Sequence, residues 1–209
     1  VDEAHNLPER ARDIYSAEFN TAYLSDFAAY LPSLGEKISK SAEELSKCLS
    51  KLKALCADNL YKNDNGTDVG YYVGREIPPG IGEKLSALGE ACDAFLRTNT
   101  YGVSAEASPA IRACSQMARL CRRWRATSEE YDDRYRTYID VSGGNILVRQ
   151  YCLDPSAALN AAMDKIRAAV FFSATLTPAE YFSDILGGGR NHVSLSLASP
   201  FPAENLFLA

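Results

Sequence analysis

The hydrophobic period of this chain changes at Tyr135, and the change separates two kinds of structure. Before it, apolar residues recur every three or four positions in four segments, which is the pattern of amphipathic helices. After it, apolar and polar residues alternate on both sides of a Ser-Gly-Gly-Asn turn at 142–145, which predicts a β-hairpin. The first part therefore predicts packed helices and the second predicts strands.

The four helical segments are separated by turn-forming residues. A proline and a glycine within 32–35 end the first helix, and the second helix is expected to reach Leu60. A stretch rich in Gly, Pro, Asn and Asp over 63–82 predicts a long loop with a short strand at 71–73. The third helix follows that loop, and Ser108-Pro109 begins the fourth with an N-cap and a first-turn proline.

Beyond the hairpin, helical and apolar strand-like segments alternate. Helices are predicted over 154–166 and 177–187, a continuously apolar strand over 169–173, and an alternating strand over 192–197. This β-α-β-α-β order is typical of a buried parallel sheet. The predicted fold class is α+β and predominantly helical, with a helical insertion attached to a small parallel α/β piece.

Charge, hydropathy and cysteine spacing exclude several classes of protein. The chain has 22 Lys+Arg against 27 Asp+Glu, a net charge of -5, so it is not a globally basic nucleic-acid coat, although a local basic stripe is compatible with that charge. No apolar run approaches the roughly 20 residues that cross a bilayer. No targeting segment is visible near Val1, and none of the six cysteines forms a CxxC motif. We expect reduced structural thiols, a cytoplasmic location and no membrane partner.

Two adjacent carboxylates near the amino terminus, in Asp2-Glu3-Ala4-His5, suit a nucleotide site. One carboxylate can hold a magnesium ion through its water shell, while the other takes a proton from the attacking water. The alternative is an acidic first turn that favours the N-terminus of a helix.

A second motif, Phe-Phe-Ser-Ala-Thr-Leu-Thr-Pro over 171–178, follows the predicted apolar strand. It places the hydroxyls of Ser173 and Thr175 just past the carboxyl end of that strand, where α/β sheets usually bind ligands. The alternative is that these two hydroxyls form an N-cap and turn for the following helix.

Taken with the later Ser-Pro-Phe at 199–201, the order of these motifs resembles the XPD/DinG family of superfamily 2 DNA helicases. The Cys-Leu-Asp-Pro-Ser stretch at 152–156 also looks like that family's return into its first motor domain. The resemblance spans nearly the whole chain and implies motif II (DEAH), a helical insertion called the Arch domain, and motif III (SATL) of a RecA-like motor domain. The implied division is a motif II segment at 1–16, the Arch-like domain at 17–145, a first-motor segment at 146–198, and the start of the linker to the second motor domain at 199–209.

The resemblance implies a role for each matching residue. Asp2 would coordinate the Mg²⁺ of Mg-ATP, and Glu3 would orient and deprotonate the hydrolytic water. His5 would link motif II to motif III, and Ser173 and Thr175 would couple hydrolysis to movement. The implied partners are single-stranded DNA and the second motor domain of the same chain.

The chain also departs from the family pattern. It contains no G-x-x-x-x-G-K-[ST] sequence and no second motor domain, so we expect no ATP hydrolysis by this fragment alone. The family's iron-sulfur cluster, where present, is held by cysteines before motif II, so none of the cysteines here is assigned to it. The parent protein would translocate on single-stranded DNA and unwind duplex; the alternative is a non-enzymatic helical protein-interaction module.

A DNA contact is predicted on the fourth helix, where Arg112, Arg119 and Arg123 share one side with Gln116. The alternative is an ordinary solvated face, because acidic residues follow at 129–133. Trp124 and the Tyr71-Tyr72 pair are also aromatic candidates for base stacking. For Trp124 core packing is favoured, since it continues the apolar face. If the motifs are correctly assigned, residues 1–5 and 171–175 should adjoin.

Overall fold

The computed structural model describes residues 1–99, 108–187 and 192–198. The chain divides into two compact units. The larger is Glu9–Pro155, and the smaller comprises Val1–Pro8 with the described residues from Ser156 onward. The predicted boundary at 145/146 falls after the first residue of the second hairpin strand, Asn145–Cys152, whereas the structure divides the chain after Pro155. The predicted linker at 199–209 lies outside the described residues.

The larger unit contains a five-stranded antiparallel sheet in the order β1-β5-β4-β3-β2. The strands are β1 (Ala17–Asn20), β2 (Tyr61–Lys62), β3 (Asp68–Gly74), β4 (Tyr135–Ser142) and β5 (Asn145–Cys152). The predicted hairpin is confirmed, since β4 and β5 pair through a two-residue turn. Gly143 and Gly144 occupy that turn with φ of 61° and 85°, a conformation that other residues rarely adopt.

Helices cover one face of this sheet. They are α2 (Thr21–Ala28), α3 (Leu31–Leu34), α4 (Glu36–Leu52), α5 (Ile81–Asn99) and α6 (Pro109–Glu129). Helix α1 (Leu7–Tyr15) begins in the smaller unit, contributes no residue to the core between these helices and the sheet, and bonds through Asp13 to Arg149 of β5. The apolar face of α6 meets the inward side chains of the strands, so that Trp124, Phe19 and Ile139 share one buried core. Ser108 caps α6 as predicted, because its hydroxyl accepts a hydrogen bond from the Ile111 amide.

Two expectations for this unit are wrong in detail. The second predicted helix ends as an α-helix at Leu52 and continues as a 3-10 helix over Lys53–Asn59 instead of reaching Leu60. The predicted loop over 63–82 contains the seven-residue strand β3, which includes the short strand predicted at 71–73 and extends it at both ends. Gly70 lies within this strand and does not end it. Its lack of a side chain allows close packing, because a Cβ on Gly70 would lie 3.0 Å from the Asn59 carbonyl oxygen.

Helices α5 and α6 approach closely at a glycine. A Cβ on Gly89 would lie 2.8 Å from the Cys121 Cβ, so the crossing needs a residue without a side chain. All six cysteines are free thiols, and five of them are buried. Burial raises the pKa of Cys121 to about 12, which keeps its thiol protonated at neutral pH.

The smaller unit is less regular. It contains a 3-10 helix at Ala4–Asn6, α7 (Ser156–Met163) and α8 (Ala179–Ile185), with a small apolar cluster around Ala4, Ile185 and Leu186. The strands predicted over 169–173 and 192–197 are not formed. The α+β class and the high helical content are therefore confirmed, whereas the predicted parallel α/β remnant is not.

A central parallel strand needs hydrogen-bonded neighbours on both sides, and in the described part of the smaller unit only the segment at Val1–Ala4 bonds to 170–172. The helices over the described ranges include none long and apolar enough to cross a membrane.

Candidate functional site

The amino-terminal motif and the second motif meet through their backbones in the smaller unit. The Val1 nitrogen donates to the Val170 carbonyl at 2.7 Å, and the Phe172 amide donates to the Val1 carbonyl at 3.1 Å. The Ala4 amide then donates to the Phe172 carbonyl at 3.2 Å. The bonds around Val1 follow the order of a parallel pair, although they are too few to form a strand. The expectation that residues 1–5 and 171–175 adjoin is met.

The Ser173 hydroxyl is the centre of a small polar cluster that joins the two motifs. It donates to the Glu3 carboxylate at 3.3 Å, and its oxygen lies 2.8 Å from Nδ1 of His5. The Thr175 amide donates to the same oxygen at 3.3 Å, and the Thr175 hydroxyl lies 3.4 Å away. Of the five residues proposed for motifs II and III, three (Glu3, His5 and Thr175) thus lie within hydrogen-bonding distance of a fourth, Ser173.

One nitrogen of the His5 ring contacts both other polar groups of the cluster. Nδ1 lies 2.8 Å from the Ser173 hydroxyl oxygen and 3.2 Å from the Glu3 carboxylate. The imidazole ring therefore bridges the carboxylate of the first motif and the hydroxyl of the second.

Glu3 adopts an uncommon backbone conformation, with φ of 49° and ψ of 44° in the left-handed region. For a residue other than glycine this costs about 1–3 kcal/mol and is often found at functional sites. Two hydrogen bonds hold it: the Glu3 amide donates to the Asp2 carboxylate at 2.8 Å, and the Asn6 amide donates to the Glu3 carbonyl at 3.0 Å. No feature of the sequence pattern predicts this turn.

The donor groups at this site suit magnesium better than a tightly ligated metal. The described residues contain no group of three or more His, Cys, Asp or Glu side chains placed to hold a metal ion. Mg²⁺ is usually bound through one or two carboxylates, with water and substrate phosphates completing its shell. Asp2 is an exposed carboxylate of that kind, and only its Oδ1 is used, by the Glu3 amide.

The alternative interpretation of Ser173 and Thr175 is wrong for the cap and right for the turn, because the Ser173 hydroxyl accepts a hydrogen bond from the Thr175 amide two residues on. The N-cap position of α8 is occupied by Pro178, and no side chain caps that helix end. Helix α8 begins at Ala179, so both hydroxyls lie too far upstream to satisfy its free amides. Their hydrogen bonds run instead to each other and to the amino-terminal motif.

The arginines of α6 do not form one uniform stripe. Arg112 and Arg119 are exposed, and neither has a hydrogen bond or ion pair within the described part of the chain. Arg123 differs, because its guanidinium donates to the carbonyls of Asp13, Ile14 and Ser16 at 2.7–3.2 Å. It closes the C-terminal end of α1, where four carbonyls lack partners. The assignment of Arg123 as a free phosphate contact is therefore corrected.

The aromatic candidates also separate. Trp124 is 1% exposed and packs in the core, as favoured by the sequence, so it is not available to a base. Tyr72 is half-buried against the same core, whereas Tyr71 points outward from β3 and is 49% exposed. The alternation follows from the two-residue period of a strand, which sends neighbouring side chains to opposite faces.

Two of the three landmarks on which the helicase resemblance rests are within the described residues, and the third, at 199–201, lies outside them. The two described landmarks are joined by the Ser173 cluster. In comparisons with known proteins, no family model and no curated protein sequence matches the chain.

Proposed function

We propose that this chain is a fragment of an ATP-dependent DNA helicase of the XPD/DinG kind, running from motif II through an Arch-type insertion to motif III. The observation that carries the proposal is the hydrogen bond between His5 and Ser173, two residues 168 positions apart in the sequence. A chance DEAH and a chance SATL would have no reason to share a polar cluster. Their meeting is what a linked motif II and motif III require.

Each residue of the cluster has a place in this function. Glu3 would accept the proton of the attacking water, and its carboxylate is oriented by the Ser173 hydroxyl and by His5. Asp2 would hold the magnesium ion that accompanies ATP. Because Ser173 touches the Glu3 carboxylate and Thr175 bonds to Ser173, a change at Glu3 on hydrolysis would alter contacts in the segment that carries both hydroxyls. Mg-ATP supplies the reacting phosphates; the protein groups position water and transmit the change.

Exposed apolar side chains in the smaller unit favour a larger assembly around it. Val170 is 70% exposed and Phe172 is 53% exposed, although both belong to the continuously apolar segment before Ser173. Contiguous exposed apolar residues usually mark a contact surface. In the proposed parent protein, further strands of the motor domain would cover them. This chain has no phosphate-binding loop sequence, so we expect it to show no ATPase activity alone.

The decisive experiment uses the complete gene product and a Glu3→Gln variant. The substitution keeps the size of the side chain and removes the base, so steady-state ATP hydrolysis stimulated by single-stranded DNA should fall about 100-fold or more. Glu9→Gln is the matched control, because Glu9 is an exposed carboxylate in the first turn of α1, and its ATPase rate should be unchanged. Equal rates for both variants and the wild type would refute the role of Glu3.

The coupling role is tested separately with Ser173→Ala. This variant lacks the hydroxyl that joins Glu3, His5 and Thr175, so strand unwinding should fall more than ATP hydrolysis. Parallel losses of both activities would indicate a structural role for Ser173 only. A parent gene without a phosphate-binding loop upstream of these motifs would refute the helicase proposal and favour the protein-interaction module.

A further inference from the structure

The sheet of the larger unit has an outward face opposite its helix-packed core, and helix α1 reaches one edge of it, where Asp13 accepts a hydrogen bond from Arg149 at 2.6 Å. On β3, β4 and β5 the inward residues alternate with outward ones, and the inward set forms the core with the helices. None of the outward residues on these three strands is buried. An open face on a sheet of this size is unusual unless it is largely polar or serves as a contact surface.

Four tyrosines form a diagonal across this face, one on each of four adjacent strands: Tyr151 on β5, Tyr138 on β4, Tyr71 on β3 and Tyr61 on β2. We call them the tyrosine diagonal. The strand register places them on one face, because directly paired residues of antiparallel strands point to the same side.

The register also sets the spacing of the tyrosine diagonal. Tyr151 pairs with Arg136, two residues from Tyr138; Tyr138 pairs with Val73, two residues from Tyr71. Tyr61 pairs with Val69, which again is two residues from Tyr71. Each tyrosine is therefore the diagonal neighbour of the next, a separation of about 7–8 Å.

The rings at the two ends of the diagonal have different surroundings. Tyr61 and Tyr71 are 61% and 49% exposed. Tyr138 is half-buried and its hydroxyl donates to Asp140 at 3.3 Å. The Arg149 guanidinium lies 4.8 Å from the centre of the Tyr151 ring. Neighbouring groups thus hold the rings of Tyr138 and Tyr151 in place, so less side-chain entropy would be lost when a ligand binds.

Arginines and carboxylates both border the diagonal. Arg136 donates to the carbonyls of Asp133 and Tyr135, and Arg149 pairs with the Asp13 carboxylate at 2.6 Å. Asp140 accepts from Tyr138, and Glu18 lies 3.9 Å from Arg149. Exposed Arg75, which follows β3, is therefore the arginine best placed to meet a phosphate beside the aromatic row.

We propose that the tyrosine diagonal binds single-stranded nucleic acid by stacking successive bases on its rings. Bases in a duplex are stacked about 3.4 Å apart, so rings spaced about 7–8 Å apart can each take a base only from a strand that is unpaired and extended. Stacking on tyrosine tolerates any base, and exposed Arg75 beside the diagonal would meet a phosphate. The ligand is the one implied by the proposed function, but the site depends on the sheet alone and on neither motif.

The test is fluorescence anisotropy with the complete 209-residue chain and labelled oligomers of about 12 nucleotides, as oligo(dT), oligo(rU) and a duplex of the same length, at low salt. We expect the wild type to bind a single strand and to bind duplex more weakly. Tyr71→Ala with Tyr138→Ala should weaken single-strand binding by about tenfold or more. Comparison of the affinities for oligo(dT) and oligo(rU) shows whether single-stranded DNA or RNA is preferred.

Two control variants make the result specific. Tyr71→Phe with Tyr138→Phe keeps both rings and should retain affinity within about twofold, because stacking does not need the hydroxyl. Tyr181→Ala removes a tyrosine of similar exposure from α8 in the smaller unit and should leave affinity unchanged. Far-ultraviolet circular dichroism of each variant excludes unfolding as the cause of a loss.

Several outcomes would overturn the proposal: no single-strand binding by the wild type, equal losses for the Tyr181 and diagonal variants, or equal losses for the phenylalanine and alanine pairs. Binding of a proline-rich peptide in place of nucleic acid would assign the face to a protein partner. Failure of the ATPase test leaves this result unaffected, because Glu3→Gln and Ser173→Ala alter no residue of the sheet.

Discussion

The two units of this chain treat their apolar residues in opposite ways. In the larger unit Trp124, Phe19 and Ile139 lie in one core shared by helices and sheet. In the smaller unit the apolar cluster around Ala4 and Ile185 is limited, while much of the apolar segment at 169–173 is exposed. The periodicity of apolar residues indicates which segments could be buried. Whether burial occurs depends on whether packing partners are present.

The largest expected difference between the units is in hydrogen exchange. Amides in the middle of β4 and β5 should exchange only through global unfolding, about 10⁴-fold or more below the unprotected rate. Amides over 173–177 have few backbone partners and should exchange within about tenfold to 100-fold of that rate. Mass spectrometry of peptic fragments measures both. Equal protection in the two segments would show that the smaller unit is as stable as the larger.

The core of the larger unit is tested by Trp124→Ala. Removing this fully buried side chain should lower the free energy of unfolding by about 3–5 kcal/mol, measured by urea denaturation. Trp124→Phe should cost much less, because it retains the ring and removes an indole N–H that has no partner among the described residues. Tyr71→Ala, on the open face, should change stability by no more than about 0.5 kcal/mol. Similar effects of Trp124→Ala and Tyr71→Ala would contradict the division into buried and open faces.

The corrected role of Arg123 predicts a smaller effect on the same helix. Arg123→Ala removes a cation and several donors from the C-terminal end of α1 and should cost about 1–2 kcal/mol. Arg112 is an exposed residue of α6 without such a contact, so Arg112→Ala should lower the free energy of unfolding by less than about 0.5 kcal/mol. Urea denaturation measures both stability losses. DNA affinity should fall more for Arg112→Ala than for Arg123→Ala. A larger stability loss for Arg112→Ala would exclude the capping role.

The smallest expected effect is on acid stability. Hydrogen bonds from Lys53 and Lys84 lower the pKa of Asp68 and Glu44 from ordinary values of 3.8 and 4.5. A lowered folded-state pKa means that the contribution to stability is present above the ordinary value and is lost as pH falls through the lowered one. The urea midpoint should therefore fall between about pH 5 and pH 3, and less so in high salt, because both pairs are exposed.

Lys53→Gln with Lys84→Gln removes both partners and is the matched variant for this prediction. Its urea midpoint should fall less steeply over the same pH range, since neither carboxylate would have a lowered pKa to lose. An unchanged pH dependence would show that other carboxylates cause the acid sensitivity.

Local sequence patterns predicted the elements that are stabilised by residues close in the sequence. The helix at α6 followed from its cap and period, and the hairpin followed from two glycines between alternating strands. Strand β1 was not predicted, and β3 was predicted only over 71–73, because their stability comes from partners distant in sequence, such as the pairing of Ala17 with Gln150. Gly70 is an example: in the sequence it indicates a loop, whereas in the structure glycine is needed there because the backbone at Asn59 lies close to it.

The candidate site shows the same division. The residue types and spacing of Asp2-Glu3-Ala4-His5 and of Ser173 to Thr175 were sufficient to select the residues that cluster. The contacts of His5 Nδ1 with Ser173 and Glu3 were not predictable from a local pattern, because the bond to Ser173 forms only when the two segments meet. For the same reason the sequence grouped Arg123 with Arg112, whereas only the structure shows the carbonyls that engage it.

By itself, the sequence determined the periodic helices, the glycine turn, the small set of polar residues in the two motifs, and a net charge that excludes a basic coat. These features depend on neighbours within a few residues. The tertiary structure alone decided which arginine is anchored, which tyrosines face outward in a row, and that the apolar segment at 169–173 is left exposed. Those properties arise from contacts between distant segments, and no local pattern specifies which segments will meet.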